Sequence, residues 1–183
     1  MTIRTFIALE LPEAVINKII QIRNENAGLN YKWEPKNKLH VTLKFIGDID
    51  VNIIEQISLE IEKLISEYGT FNLSFKKFGM FYKDKKPKIF WIGLDENENL
   101  SKFAHEIDKI CNKFGVQKEQ RKFNPHITLL RIKEKDNTKP LEKLLKFDLH
   151  EINFSADKVT IFKSELLPAG SVYKSIKSFY IKN

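Results

Sequence analysis

The chain of 183 residues is 42% hydrophobic and contains 14 phenylalanines, which is enough apolar material for one domain covering residues 1–183. Its single cysteine excludes an intrachain disulfide framework, the N-terminus lacks the pattern of a signal peptide, and no apolar run reaches the roughly 20 residues that span a membrane. We therefore expect a soluble cytoplasmic protein, and its formal charge of +7 allows a polyanionic substrate without requiring one.

The N-terminal part of the chain predicts a strand followed by two helices. Residues 3–9 have the apolar and β-branched character of a strand. Pro12 fits the first turn of a helix, where its missing N–H costs nothing. Asp50 is the predicted N-cap of the second helix, and Gly69 is its predicted end. The apolar positions of that helix recur at spacings of three and four: Ile54, Ile57, Ile61, Leu64 and Tyr68.

A third helix is predicted to end at Gly115, a residue type that favours the position just after a helix. Its apolar stripe consists of Leu100, Phe103, Ile107, Ile110 and Phe114. Cys111 borders this stripe, which predicts a buried and unreactive thiol.

Segments rich in β-branched and aromatic residues predict further strands. They are residues 38–46, 71–78, 88–94, 126–132, 152–163 and 172–181. Together with the helices they predict an α+β protein of six or seven strands and three or four helices. The basic run 83–88 is interpreted as a solvated loop, with contact to a phosphate backbone as the alternative.

Two of the four histidines begin the same motif, His-apolar-Thr-Leu, at residues 40–43 and 126–129. Because side chains alternate along a strand, His40 and Thr42 share one face, as do His126 and Thr128. The apolar residues between them point to the opposite face. If two such strands face each other, their two imidazoles and two hydroxyls surround one central volume. That volume would suit a phosphate.

This set of residues predicts cleavage of a phosphodiester without a metal or other cofactor. An imidazole with an ordinary pKa of about 6.5 can be neutral or protonated at neutral pH. One histidine can therefore remove a proton from the attacking water while the other gives a proton to the departing oxygen. The threonine hydroxyls can donate to phosphoryl oxygens and hold the ester in line.

Two alternatives account for the same histidines. They could be partly buried side chains with ordinary hydrogen bonds, which is the simpler interpretation of one copy but not of a matched pair. They could hold a metal ion, but no His, Cys or carboxylate stands at ligand spacing beside either motif, and Thr is a poor ligand. His105 lies off the apolar stripe of its helix and is expected to be solvated, and His150 is given no role.

Around these motifs the chain resembles the two-histidine (2H) phosphoesterases, and within them the bacterial and archaeal RNA 2′,3′-cyclic phosphodiesterases, also called 2′-5′ RNA ligases. The resemblance runs the length of the chain and includes Pro125 before the second motif. It is carried by RTFIALELP (4–12), KWEPKNKLHVTLKFIGDI (32–49), FGMFYKDKKPKIFWIGL (78–94), RKFNPHITLLRI (121–132) and SELLPAGSVYKSIKSF (164–179). No motif position departs from the family pattern.

The resemblance implies a bilobal fold, in which two halves of antiparallel sheet with outer helices are related by a pseudo-twofold around a central cleft. It implies that His40 is the proton donor and His126 the proton acceptor. Water attacks the cyclic phosphate, the 3′ oxygen leaves, and a 2′-phosphate end results; in the related joining reaction a 5′-hydroxyl replaces water and a 2′-5′ linkage forms. The implied partner is an RNA end bearing a 2′,3′-cyclic phosphate, and we expect a monomer.

Family members also use an aromatic and an arginine five residues after the first and second histidine, which correspond to Phe45 and Arg131. Strict alternation would place both on the faces opposite their histidines, so their use requires a strand end or bulge after Leu43 and after Leu130. With such a change Phe45 could stack on the terminal base and Arg131 could bind the phosphate. Without it Phe45 is core and Arg131 is surface. Lys44, on the His40 face by alternation, is a weaker electrostatic candidate.

Two alternatives to RNA-end hydrolysis stay open. The substrate could be another small cyclic or linear nucleotide, since relatives act on several. A non-catalytic RNA-binding module would use the positive charge alone, although intact His and Thr at all four motif positions argue against it. Tyr173, Trp33 and Trp91 are interpreted as packing residues.

Overall fold

In a computed structural model of the protein, the described residues 1–27, 31–149, 152–168 and 170–182 form four α-helices and eight β-strands. The helices are α1 (Glu13–Ala27), α2 (Val51–Ile65), α3 (Glu98–Lys113) and α4 (Lys139–Leu145). The strands are β1 (Thr2–Glu10), β2 (His40–Asp50), β3 (Phe71–Lys83), β4 (Lys86–Leu94), β5 (His126–Arg131), β6 (Asn153–Ala156), β7 (Lys158–Leu167) and β8 (Gly170–Tyr180). The predicted α+β class is confirmed, but the eight strands are more than the six or seven predicted.

The eight strands form one antiparallel sheet in the order β6-β3-β4-β5-β2-β1-β7-β8. Its two central strands, β2 and β5, begin with the two motif histidines and pair through Val41 and Ile127. β2 and β5 each follow a strand and a helix, β1-α1 and β4-α3, and pair with that strand, so a pseudo-twofold axis between β2 and β5 relates the two halves of the sheet. The two related halves expected from the resemblance are therefore present, and each contributes one motif.

The face of β2 and β5 opposite the histidines is fixed by burial. Val41, Leu43, Ile127 and Leu129 all belong to the hydrophobic core, where burial of each such side chain stabilises the fold by about 1.5–3 kcal/mol. A slip of one residue in either strand would expose these side chains, so the core sets the register. The motif histidines and threonines consequently point away from the core.

The helix ends agree with the predicted signals at two of three places. The Asp50 carboxylate accepts a hydrogen bond from the Asn52 N–H at 2.9 Å, which confirms it as an N-cap. Gly115 has φ +85°, the left-handed conformation that favours glycine after a helix. The prediction that Gly69 ends α2 was wrong. The helix ends at Ile65, and the following N–H groups bond to carbonyls three residues back in a turn.

Two other predictions needed correction. Residues 152–163 contain all of β6, which ends at Ala156, and the first part of β7, which begins at Lys158. The run 83–88, predicted to be a solvated loop, is exposed at residues 83–86, but it is a tight hairpin in which only Asp84 and Lys85, both with positive φ, lie between β3 and β4.

Helix α4 is the fourth of the three or four predicted helices, and its position was not predicted because seven residues are too few for a clear period. Pro12 directly precedes α1.

Strand β2 contains a β-bulge just after its motif. Thr42 lies opposite Ala8 of β1, whereas Lys44 lies opposite the neighbouring Ile7, so Leu43 is an extra residue. The bulge shifts the alternation by one position, which turns Lys44 toward the core and returns Phe45 to the histidine face.

Strand β5 contains the equivalent bulge. Thr128 lies opposite Trp91 of β4, whereas Leu130 lies opposite the neighbouring Phe90, and the extra residue is the one between Thr128 and Leu130. As in β2, two consecutive residues after the motif threonine are buried. Arg131 therefore returns to the histidine face.

The placement of Lys44 on the histidine face by alternation was wrong because of the β2 bulge. Its side chain is buried and pairs with the Asp108 carboxylate of α3. Lys44 also donates to the Gln117 carbonyl at 2.7 Å, and Asp108 accepts from the Glu119 N–H at 3.1 Å. This buried ion pair joins the central strand, α3 and the segment that leads to β5.

Substitution of Asp108 should destabilise the fold, because it leaves the buried Lys44 ammonium without a counter-charge. In Asp108→Ala the Lys44 ammonium loses its counter-charge, and we expect the free energy of unfolding to fall by about 3–5 kcal/mol in urea denaturation. The matched control Glu60→Ala removes a pair with the exposed Lys63 and should cost about 1 kcal/mol or less. Equal losses in the two variants would contradict the structural role of the buried pair.

Candidate active site

His40 lies in an aromatic enclosure on the histidine face of the sheet. Its ring stacks on Phe6 with centroids 5.1 Å apart, and the rings of Phe162 and Tyr173 lie 6.2 and 5.7 Å away. The backbone carbonyl of Lys38, two residues earlier, favours the protonated form of the imidazole. The imidazole is thus held in place by aromatic packing.

His126 is held in an equivalent way. Its Nδ1 lies 2.8 Å from the carbonyl oxygen of Asn124, again two residues earlier. Because a carbonyl only accepts, Nδ1 carries the hydrogen, which leaves Nε2 free for proton transfer. The rings of Phe81 and Trp91 lie 5.0 and 6.2 Å from the imidazole.

Two glycines leave space for the Trp91 ring beside His126. A Cβ at Gly79 of β3 would overlap the indole ring, and a Cβ at Gly93 would approach it to 2.8 Å. Both positions must lack a side chain for the ring to take this place. Trp91 therefore packs, as the sequence predicted, but it packs beside a motif histidine.

The central pairing of β2 and β5 brings the two motifs together. Continued in antiparallel register, it sets His40 across from Thr128 and Thr42 across from His126. All four side chains are partly buried and share one face of the sheet. The strand pairing therefore places the two motifs side by side on one face of the sheet.

The electrostatic environment favours a neutral His40 in the free protein. Burial of the imidazole lowers the pKa of His40 from its ordinary 6.5 to about 4, and the positive groups His126 and Arg131 act in the same direction. The Lys38 carbonyl and the Glu10 carboxylate oppose this shift. A phosphate anion between the histidines would also oppose it, because an adjacent negative charge favours the imidazolium.

Glu10 is a site residue that the sequence did not reveal. It lies directly opposite His40 in the β1–β2 pairing, so both side chains are on the same face. Its carboxylate accepts from the Thr160 hydroxyl, forms an ion pair with Lys158 at 3.1 Å, and is linked through Thr160 to Ser178. Only the strand pairing discloses this neighbour, because Glu10 and His40 are 30 positions apart.

Phe45 and Arg131 occupy equivalent positions on the two sides of the site. Phe45 is 72% exposed and its ring lies 5.9 Å from Phe6, so it is not a core residue. The Arg131 side chain is 64% exposed and lies 3.3 Å from the Glu34 carboxylate. Both side chains are therefore on the histidine face and open to solvent.

A cavity of about 690 Å³ adjoins the site on the side of His126. Its lining includes Thr42, Phe45 and His126 of the site and also Arg121 and His105. His105 is exposed, as predicted, and His150 lies outside the described residues.

Cys111 is buried, as predicted, and burial raises the pKa of its thiol to about 12. A thiol with this pKa stays protonated at neutral pH and is a weak nucleophile. In the described part of the chain, no three His, Cys, Asp or Glu side chains are grouped so that they could hold a metal ion.

Comparison with known proteins agrees with this geometry. Residues 11–166 match the 2′-5′ RNA ligase superfamily. A relative from Methanocaldococcus jannaschii, named RNA 2′,3′-cyclic phosphodiesterase, is 32% identical over 180 residues, which cover 96% of this chain and 99% of that protein.

Solved structures have the same fold. A Thermus thermophilus protein, TT0787, superimposes with a TM-score of 0.83 at 22% identity and 98% coverage of both chains. Escherichia coli LigT, crystallised with 3′-AMP, superimposes with a TM-score of 0.77 at 21% identity over the full length of both chains. The fold is that of the two-histidine phosphoesterases. The chain belongs to the 2′-5′ RNA ligase superfamily.

The protonation of His40 can be followed directly by NMR titration of its imidazole. We expect a pKa below 6.5 in the free protein, an upward shift when inorganic phosphate binds between the histidines, and a further decrease in Glu10→Gln, which removes a charge that favours the imidazolium.

The same shift affects stability. Between pH 4 and 6.5 His40 binds fewer protons in the folded protein than in the unfolded chain. The free energy of unfolding should therefore decrease as the pH falls through this window. A pKa of 6.5 or above in the free protein, or no upward shift with saturating phosphate, would contradict the electrostatic account.

Proposed function

We propose that the protein hydrolyses RNA 2′,3′-cyclic phosphate ends to 2′-phosphate ends by metal-free acid–base catalysis. The observation that carries the proposal is the pairing of β2 and β5, which brings two His-x-Thr motifs to one face of the sheet. The name of the M. jannaschii relative, RNA 2′,3′-cyclic phosphodiesterase, supports the same activity over nearly the whole chain.

In the proposed reaction His126 removes the proton from the attacking water and His40 protonates the departing 3′ oxygen. The hydrogen bond from Nδ1–H to the Asn124 carbonyl orients the ring so that Nε2 is the nitrogen that takes the proton. His40 becomes the acid when the substrate anion binds, because the phosphate charge counteracts the burial that keeps the imidazole neutral. Binding and activation of the acid are thereby coupled.

The remaining predicted residues bind the substrate in this proposal. Thr42 and Thr128 donate their hydroxyls to the non-bridging phosphoryl oxygens, and Arg131 turns from Glu34 to the phosphate. Phe45, with its exposed ring, stacks on the terminal base. The 3′-AMP bound by E. coli LigT supports a site of nucleotide dimensions.

No α-helix in the described residues is long and apolar enough to cross a membrane. We propose that the protein acts as a cytoplasmic monomer of one two-lobed domain, residues 1–183, on RNA ends.

Loss of either histidine should abolish most of the activity. We expect His40→Ala and His126→Ala each to lower the turnover of an RNA oligonucleotide with a 2′,3′-cyclic phosphate end by about 10²-fold or more, since each removes one proton-transfer group. The assay contains EDTA, and the product end is identified as 2′- or 3′-phosphate by chromatography. Circular dichroism confirms that the variants fold.

Several results would refute the mechanism. A need for added metal, a 3′-phosphate product, or full activity in both histidine variants would each do so. Salt-dependent RNA binding with unchanged ends would instead indicate a non-catalytic RNA-binding module.

Arg131 should contribute to binding of the phosphate in the transition state. In Arg131→Gln we expect kcat/KM for the same oligonucleotide to fall by about 10- to 100-fold, the equivalent of one charge-assisted hydrogen bond of about 1.5–3 kcal/mol. Arg4→Gln, an exposed arginine at the start of β1, is the matched control and should retain activity. Equal activities of the two variants would remove Arg131 from the site.

A further inference from the structure

Two neighbouring segments at the Arg131 end of the sheet hold much of the positive charge of the chain. Residues 83–88 and 131–136 contain seven basic and three acidic side chains, so they contribute +4 to the formal net charge of +7. These two segments together are called the basic patch. The proposed mechanism of hydrolysis uses only Arg131 from this patch.

The two segments of the basic patch are held together by hydrogen bonding and by an ion pair. The Ile132 N–H, next to Arg131, donates to the Lys88 carbonyl at 2.9 Å. The Lys86 ammonium lies 3.0 Å from the Glu134 carboxylate. The basic patch is therefore one continuous surface that begins at Arg131.

Two lysines at the tip of the β3–β4 hairpin are on the same face of the sheet as the motif histidines. Phe81 of β3 is on that face, because its ring lies 5.0 Å from the His126 ring. Lys83 shares the face by alternation, and Lys86 lies directly opposite Lys83 across the hairpin. The extra residue in this pairing is Lys88 of β4, so the alternation along β3 is not interrupted.

The hairpin tip has two features that are unfavourable for the fold itself. Lys83 and Lys86 carry like charges at directly opposite positions, which destabilises a strand pair. Lys85 has φ +60°, a left-handed conformation that a glycine would adopt at lower cost. A phosphate bound between Lys83 and Lys86 would replace their repulsion with attraction. The tip therefore has the charge arrangement of a phosphate-binding surface.

The basic patch extends well beyond a single bound phosphate. Ile89 lies opposite Arg131, and Lys85 at the hairpin turn is four residues away, about 13 Å at 3.3 Å per strand residue. A cyclic mononucleotide has one phosphate, which the proposed function places at Arg131. An RNA end has further phosphates along its chain, and these can reach the hairpin tip.

An RNA chain whose end is in the site has one face of the sheet available to it. The opposite face of β2 and β5 is occupied by the hydrophobic core. The chain therefore leaves the site along the histidine face, which is the face of Lys83 and Lys86. Proteins that hold single-stranded RNA commonly follow its backbone with positive charge in this way.

We propose that the basic patch binds the phosphodiester backbone of the RNA tract that precedes the cyclic phosphate, with Lys83 and Lys86 as the contacts at the hairpin tip. The inference rests on the proposed function, because it takes Arg131 as the contact to the reacting phosphate. It makes an RNA end a better substrate than a cyclic mononucleotide. The contacts are to phosphates, so the preference does not depend on base sequence.

Two substrates and two double variants test the proposal. The substrates are 2′,3′-cyclic AMP and a short RNA oligonucleotide with a 2′,3′-cyclic phosphate end. Lys83→Gln with Lys86→Gln, the hairpin variant, removes the two charges at the tip. Lys18→Gln with Lys63→Gln, the control variant, removes two exposed charges from α1 and α2 and has the same net charge. Lys63, like Lys86, pairs with a glutamate.

We expect the hairpin variant to lose about tenfold in kcat/KM for the oligonucleotide, the equivalent of about 1.4 kcal/mol shared by two surface contacts. Its kcat/KM for 2′,3′-cyclic AMP should stay within about twofold of the wild type, because that substrate does not reach the tip. The slope of log kcat/KM against log salt concentration should become shallower by about 1.4 for the oligonucleotide, since each contact to a single strand contributes about 0.7. The control variant should match the wild type.

Binding provides a readout that does not depend on catalysis. The same oligonucleotide with a 3′-phosphate end and a fluorescent label is titrated with each protein, and Kd is measured by fluorescence anisotropy. We expect about tenfold weaker binding by the hairpin variant and an unchanged Kd for the control variant.

Three results would overturn the inference. They are wild-type behaviour of the hairpin variant toward the oligonucleotide, equal losses in the hairpin and control variants, and an equal loss for both substrates in the hairpin variant. The last result would assign the lysines to the reacting phosphate and not to the RNA tract. Absence of hydrolysis by the wild type refutes the proposed function instead, and the binding measurement then still decides whether the hairpin holds RNA.

Discussion

The antiparallel pairing of β2 with β5 is the contact on which the rest of the site depends. Val41 and Ile127 are fully buried where the two strands meet, and the strand period then sends the flanking histidines and threonines to the opposite face. Each half of the sheet supplies one motif, so neither half contains a complete site. Core packing and catalytic geometry are therefore two consequences of the same register.

The two bulges place further residues on the histidine face of the sheet. Strict alternation would place Phe45 and Arg131 on the face opposite the histidines, but one extra residue in each strand returns them to the histidine face. The bulge in β2 has a second effect, because it turns Lys44 inward to the ion pair that anchors the segment before β5. The same irregularity thus positions residues on both sides of the strand.

The two histidines have similar supports but different surroundings. Each has a backbone carbonyl two residues earlier beside its ring and lies against aromatic rings. His40 faces Glu10 across the strand pair, whereas His126 faces Gly93, which leaves room for the Trp91 ring. A pseudo-symmetric fold can in this way give two identical side chains different tasks.

The sequence by itself determined the α+β class, the strands that carry the motifs, the Asp50 cap and the four motif residues, because alternation and capping are local properties. It could not determine the placement of Phe45, Arg131 and Lys44, since a bulge is recognised only from the partner strand. Glu10, Glu34 and Tyr173 join the site through pairings and contacts between distant parts of the chain, and no local pattern records these. Tertiary structure likewise decided that the cavity lies beside His126 and that the pKa of His40 is lowered. Both depend on which groups surround a residue in space.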